Sequence, residues 1–262
     1  MQIIVYENSV RAQHLADILK NSELVSRYNK VYILPIPSSK DGLKINKSDI
    51  TLESFTEGLS GGELVVGYGL SKAVRESILS KGAELCDSAL DEAFLSENAV
   101  LTAEATLGIL ASQGKRAFSD MRVGVIGYGR IGRALVSRLL YLGAFVEVYT
   151  GREDVIIELA SMGVSAKGYA GFADSNFDAL INTAPSDLFL RLSGETLFSS
   201  GVRIIELASG DNFGDAASRR LNIEKYPSLP SRAFPESAGK AWWRSVERFL
   251  LDAGENGGFA HE

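Results

Sequence analysis

Histidine and cysteine are almost missing from this chain. Of its 262 residues two are histidine, His14 and His261, and one is cysteine, Cys86. A single thiol excludes an internal disulfide, and a cytoplasmic location is the simplest expectation. His14 falls inside an expected helix and His261 in a glycine-rich tail, so neither a zinc or iron ligand set nor an imidazole general base is expected. Long apolar runs are also missing: no stretch approaches the ~20 residues that a membrane-crossing helix needs. The opening MQIIVYENSV has no charged start and no apolar core of roughly 7–15 residues, so it reads as a strand and a turn rather than a signal peptide. There is no long basic run and the formal net charge is −6, which leaves no footprint for a nucleic acid. An apolar share of 45% and a charged share of 23% are those of an ordinary globular protein, and the length suits two modest domains or one large one.

Glycine, by contrast, is well placed. Val123 to Ile126 is a short apolar run, Gly127-Tyr128-Gly129-Arg130-Ile131-Gly132 follows at once, and Ile131, Leu135 and Leu139 recur at helical spacing. Strand, tight turn and helix in this order make a dinucleotide-binding element. Gly127 permits the turn, Gly129 lets backbone approach a pyrophosphate, and Gly132 lets the helix pack on the strand. The phosphates are expected on the free N–H groups at the helix start. An NAD site places an acid about 20 residues past the glycines, but the count reaches Thr150-Gly151-Arg152. A hydroxyl and a guanidinium fork suit the extra phosphate of NADP, with NAD as the alternative if Glu153 or Asp154 takes the ribose.

The rest of the chain supplies strands and helices in alternation. Gln2 to Tyr6, Val31 to Leu34, Leu64 to Val66, Ala179 to Asn182 and Val202 to Ser209 read as buried strands; Pro35 and Pro37 stop the second. Residues 38–62 read as irregular with short helices. Gly67-Tyr68-Gly69-Leu70-Ser71 repeats the strand-to-helix turn ahead of an expected helix Lys72 to Ser80, with Ser71 as its cap or a contact for a substrate carboxylate. Asp87, Asp91, Glu92 and Glu97 form an acidic run of the kind that is a solvated face. An apolar-faced helix at 99–113 is expected to connect the domains. Leu229 to Pro235 cannot be helical throughout, the helix Ser237 to Leu251 is expected to pack back on the first domain through Trp242, Val246, Phe249 and Leu250, and the tail from Gly254 is expected to be disordered. Sequential crossovers then give an α/β fold with a doubly wound parallel sheet. Thr183-Ala184-Pro185 and Leu207-Ala208-Ser209 would lie at its carboxyl edge, where ligands bind.

Taken together, Glu97-Asn98, Leu101 to Glu104, the glycine turn, Val148 to Glu153, Ile181 to Pro185, Glu206 to Ser209, Leu229 to Ser231 and Pro235 to Gly239 resemble the A subunit of dipicolinate synthase over about residues 90–250. Two departures stand out: Gly210-Asp211-Asn212-Phe213-Gly214-Asp215 replaces the family's Pro-Gly-Gly-Thr-Asp-Phe-like loop, and Glu236 replaces a lysine.

The resemblance implies a Rossmann domain over 99–235 and a smaller α/β substrate domain over 1–98, completed by 236–262. It implies oxidation of dihydrodipicolinate by a nicotinamide nucleotide, a homodimer, and partnership with a flavoprotein-like B subunit. In that frame Gly127 to Gly132 hold the pyrophosphate, Thr150, Gly151 and Arg152 the adenosine phosphate, and Thr183 to Pro185 with Leu207 to Ser209 the nicotinamide. Ser71, Asn98, Thr102, Glu104 and Arg232 are the candidate contacts to a small carboxylate substrate. Three other readings stay open. A D-2-hydroxyacid dehydrogenase would need the missing histidine base. A shikimate-dehydrogenase-like enzyme would need a pair such as Lys72 and Asp87. A nucleotide-binding protein of a larger complex, without turnover of its own, would need neither.

Overall fold

The computed structural model describes residues 1–113, 116–169, 171, 176–185, 202–210, 212 and 223–256. Their contacts divide the chain into two compact units, Met1–Asn98 with Pro230–Glu262, and Ala99–Leu229. The second boundary falls at Pro230 rather than at 236.

In the first unit four parallel strands stand in chain order, β1 (Gln2–Val5), β2 (Lys30–Ile33), β3 (Glu63–Gly67) and β4 (Glu84–Asp87). Their crossovers carry α1 (Val10–Lys20), α2 (Leu52–Glu57) and α3 (Lys72–Ser80). Tyr32 and Val65 join Leu52, Phe55 and Ile78 in one buried cluster. Pleat alternation turns Val31, Ile33, Leu64 and Val66 to the opposite face, which is why these strands are apolar throughout.

The acidic run is not a solvated face. Its first member, Asp87, closes β4 and is buried, and its carboxylate accepts from the N–H groups of Gly69 (2.7 Å), Leu70 (3.0 Å) and Ala89 (3.1 Å). Asp91 accepts from the N–H groups of Ala93 and Phe94 and so caps α4 (Glu92–Gln113), which begins seven residues ahead of the expected 99. Asp91 also pairs with Arg248, and Glu97 with Arg244.

Both arginines belong to α8 (Pro235–Asn256), which follows the short α7 (Leu229–Ala233). As expected, 229–235 is not helical throughout: Phe234 separates the two helices, Pro230 lies in the first turn of α7, where its missing N–H has no partner to lose, and Pro235 opens α8. Trp242, Val246 and Leu250 are buried in the first unit, and Trp242 Nε1 donates to Ser88 Oγ at 3.2 Å. Gly239 sits against α1, where an added Cβ would stand 2.8 Å from His14 Cβ and 3.1 Å from the Arg11 carbonyl. The helix continues through Gly254 to Asn256, three residues into the tail expected to be disordered; the remainder of that tail, with His261, lies outside the described residues.

The second unit holds a six-stranded parallel sheet in the order β10-β9-β8-β5-β6-β7, with β5 (Arg122–Ile126), β6 (Phe145–Tyr149), β7 (Ser165–Lys167), β8 (Ala179–Asn182), β9 (Arg203–Glu206) and β10 (Ile223–Lys225). The helices α5 (Arg130–Tyr141) and α6 (Glu153–Ser161) cross between β5, β6 and β7. Val123, Val125, Leu135, Leu139, Val148 and Ile181 make the core. Strand order reverses between β5 and β8, which is the doubly wound arrangement with its crevice at that point.

Candidate nucleotide-binding site

The crests of β9, β8, β5 and β6 lie side by side at the carboxyl edge of this sheet. They bring Leu207 to Ser209, Thr183 to Pro185, Gly127 to Gly132 and Thr150 to Arg152 into one row. Gly127 has φ +89°, and its N–H donates to the Tyr149 carbonyl at 2.8 Å. A Cβ there would meet Ala184 Cβ and Thr183 Oγ1 at 2.8 Å. Thr183 in turn donates its hydroxyl to the Ile126 carbonyl at 2.9 Å, locking the two crests together. At Gly132 a Cβ would stand 2.3 Å from the Gly127 carbonyl oxygen, so helix and strand touch only because the side chain is missing.

Gly129 differs from both. Its φ of −81° is open to any residue, and a Cβ there would meet nothing within 4 Å. It is the N-cap of α5, with no side-chain hydrogen bond capping the helix. Open space in front of backbone N–H groups at the positive end of a twelve-residue helix fits a pyrophosphate. Behind the turn, the Arg133 guanidinium lies 4.5 Å from the Tyr128 ring centroid and forks onto Glu158 at 2.6 and 3.0 Å.

At the end of β6, Thr150 is buried and its hydroxyl accepts from the Arg152 N–H at 3.2 Å. Gly151 faces the Tyr169 ring. Arg152 stands at the start of α6 with a largely exposed side chain paired to Asp154, and that carboxylate holds its pKa above the ordinary value. A phosphate at this point would compete with Asp154 for the guanidinium.

Glu206 joins the site without having been expected there. It is buried, and its carboxylate accepts from Asn182 Nδ2 (3.1 and 3.0 Å), the Ala208 N–H (2.7 Å) and Asn212 Nδ2 (3.3 Å). Asn182 Oδ1 accepts from the Ala184 N–H at 3.3 Å. One carboxylate therefore ties together the crests of β8 and β9. Burial pushes its pKa up, opposed by Asn182, Ala208 and Asn212. An acid ending an apolar strand beside an asparagine that ends its neighbour is a signal the sequence does carry. Of the 210–215 loop only Gly210 and Asn212 are among the described residues.

The candidate substrate contacts have these surroundings. Ser71 caps α3, its hydroxyl accepting from the Val74 N–H at 3.4 Å. The turn it ends is filled by Asp87, so the second glycine turn offers no open anion site. Lys72 is exposed and stands 3.8 Å from Glu76, while Asp87 is buried beneath the turn. Glu104 pairs with Arg138 at 3.1 Å and lies about 200° around α4 from Thr102, so the two cannot meet one ligand from that helix. Asn98 and Thr102 share a helix face; Thr102 is buried and Asn98 half-buried. Arg232 is exposed on α7 with no partner among the described residues. Among the described residues no three His, Cys, Asp or Glu side chains are grouped to hold a metal, and no helix is long and apolar enough to cross a membrane.

A parallel sheet reversing at the glycine turn, with a second parallel α/β unit completed by α8, is a two-domain Rossmann-type fold. No family model matches the sequence, and no curated protein does. Among solved structures, the dipicolinate synthase A protein from Bacillus halodurans is 18% identical with a TM-score of 0.72, over 95% of this chain and 97% of that one. Its counterpart from Bacillus subtilis is 17% identical with a TM-score of 0.73, over 97% of each chain. D-lactate dehydrogenase from Escherichia coli is 12% identical with a TM-score of 0.57, over 99% of this chain and 98% of that one. The resemblance read from the sequence is thus borne out at the level of the fold.

Proposed function

We propose that this chain is an NADP(H)-dependent oxidoreductase acting on a small cyclic carboxylate, dihydrodipicolinate being the substrate that the resemblance favours. The observation that carries the reading is the open space over Gly129 at the uncapped start of α5. When bound, the oxidised nicotinamide would accept a hydride from the ring carbon, and a ring proton would pass to water, as the ring becomes aromatic. The chain's own part is to hold and orient. Gly127 to Gly132 receive the pyrophosphate, and Thr150, Gly151 and Arg152 the adenosine phosphate. Thr183 to Pro185 and Leu207 to Ser209, braced by Glu206, shape the nicotinamide edge. Aromatisation is strongly downhill, so positioning at about 3–3.5 Å and exclusion of water suffice without an imidazole base.

One observation favours a second reading of the cofactor: Asp154 already engages Arg152 and could instead accept the ribose hydroxyls of NAD. Thermal unfolding with each nucleotide decides. NADPH stabilises the protein more than NADH, and Arg152→Ala abolishes the difference; equal shifts assign NAD. Turnover is read by absorbance of the aromatic product from freshly made dihydrodipicolinate, with and without a flavoprotein-like B subunit. Product only when B is present assigns a partner-dependent role, and no product under either condition assigns another carboxylate, in keeping with Glu236 and the 210–215 loop. A cytoplasmic homodimer working in dipicolinate synthesis during sporulation belongs to the same reading and stands or falls with it.

A further inference from the structure

Glu7 follows β1, and Arg11 lies in the first turn of α1, whose start Ser9 caps. Both side chains are interior: Arg11 is 3% exposed and Glu7 6%. Their closest approach is Nη2 to Oε2 at 3.7 Å, an ion pair too long to be a hydrogen bond. In consequence Nε and Nη2 of Arg11 and Oε2 of Glu7 are buried without a hydrogen-bond partner among the described residues. Trp242 lies against the guanidinium at 5.4 Å from its ring centroid, contact that satisfies none of its N–H groups. The other Glu7 oxygen accepts from Lys47 Nζ at 3.2 Å. Two cations therefore share one carboxylate, and the cluster of Glu7, Arg11 and Lys47 carries one positive charge in excess.

An internal salt bridge would close to a forked contact, because a buried unpaired donor or acceptor is expensive and a charged one more so. Here donors and acceptor stay side by side in an ion pair without a hydrogen bond, in the pattern that a ligand bearing the complementary groups would complete. A carboxylate takes two parallel N–H bonds from an arginine edge. An N–H or O–H next to that carboxylate would meet Glu7 Oε2. The position agrees: β1 ends here, α1 points its positive end here, and ligands of parallel α/β sheets bind beyond the carboxyl ends of the strands.

We propose that Arg11 and Glu7, with Lys47 at the rim, form a binding site in the first unit for a small carboxylate that carries an N–H or O–H beside the carboxylate. This site replaces Arg232 as the carboxylate fork and deepens the proposed function, since it rests on the first unit being the one that holds substrate.

The test is calorimetric titration of the whole protein, with and without NADPH, using pipecolate and cyclohexanecarboxylate, rings of one size with and without the N–H. Pipecolate, whose ring nitrogen is an ammonium at neutral pH, binds about tenfold more tightly, the worth of one charge-assisted hydrogen bond to Glu7. Arg11→Lys, which keeps the charge but loses the fork, weakens pipecolate at least about tenfold. Lys47→Ala, at an exposed position, weakens it about threefold by removing one rim charge. No pipecolate binding, equal affinity for the two acids, or unchanged affinity in Arg11→Lys overturns the site. Should that variant fail to fold, unchanged affinity in Lys47→Ala overturns it instead. Thermal stabilisation by NADPH on the same samples reads the nucleotide half separately, so a chain that takes nucleotide and no carboxylate loses only this site.

Discussion

Gly129 and Gly132 stand three residues apart and answer to different constraints. Alanine at 132 would drive Cβ onto a backbone carbonyl 2.3 Å away, and helix and strand would have to part. Alanine at 129 would touch nothing. Gly132→Ala is therefore expected to lower stability by about 1–3 kcal/mol and to abolish nucleotide binding. Gly129→Ala is expected to leave the unfolding midpoint of the unliganded protein nearly unchanged and still remove the thermal shift with NADPH. A retained shift in Gly129→Ala would mean that no pyrophosphate comes there. Asp87 gives a second residue-scale expectation. Its two oxygens hold the amides of the Gly67 to Ser71 turn, so Asp87→Ala costs about 2 kcal/mol in urea unfolding, the scale of lost charge-assisted hydrogen bonds.

Asp91 makes stability depend on acid. Burial raises its pKa, but Arg248 and the Phe94 N–H outweigh burial and hold it below the ordinary value of 3.8. A carboxyl whose folded pKa is depressed contributes stability fully above its unfolded value and loses it as pH falls toward the folded one. The gap in urea midpoint between the wild type and Asp91→Asn should thus be full at about pH 5 and shrink as pH drops below about 4. A gap that widens in acid would contradict the pairing with Arg248.

Among the elements, the packing of α1 on α8 depends on one small residue. Gly239→Ala would press against His14 Cβ and the Arg11 carbonyl, and is expected to lower stability by about 1–3 kcal/mol, read from the urea midpoint. The elements legible in the sequence are those whose cause is local. The bounds of α3 are given by its Ser71 cap and its Lys81-Gly82 end, and the β5–α5 turn by three glycines with separate tasks. The start of α4 was not legible, because the acids that precede 99 pair with Arg244 and Arg248 some 150 residues further along, where no local pattern points. β4 was missed for the same reason, Asp87 being committed to a turn in another segment. β10, three residues paired on one side only, has too little apolar pattern to announce itself. At the site, the glycines and the threonine crests could be read, whereas the Glu206 brace comes from neighbours that only folding brings together.

On the scale of the whole chain, the first unit is interrupted: it is left at residue 98 and resumed at 230. Trp242, Val246 and Leu250, interior residues of that unit, lie beyond the entire second one. Truncation after residue 228 is therefore expected to leave a chain that binds a hydrophobic dye such as anilinonaphthalene sulfonate and unfolds without a cooperative transition from its first 98 residues. A sharp transition retained by that segment would show that α8 is dispensable to it. The same layout dictates an order of events during synthesis. A ribosome releases residues 99–229 complete, as an uninterrupted stretch, while the earlier sheet still waits with its apolar surface uncovered. That surface is sheltered only when α8 emerges, so of the two units the one begun earlier is the one finished later.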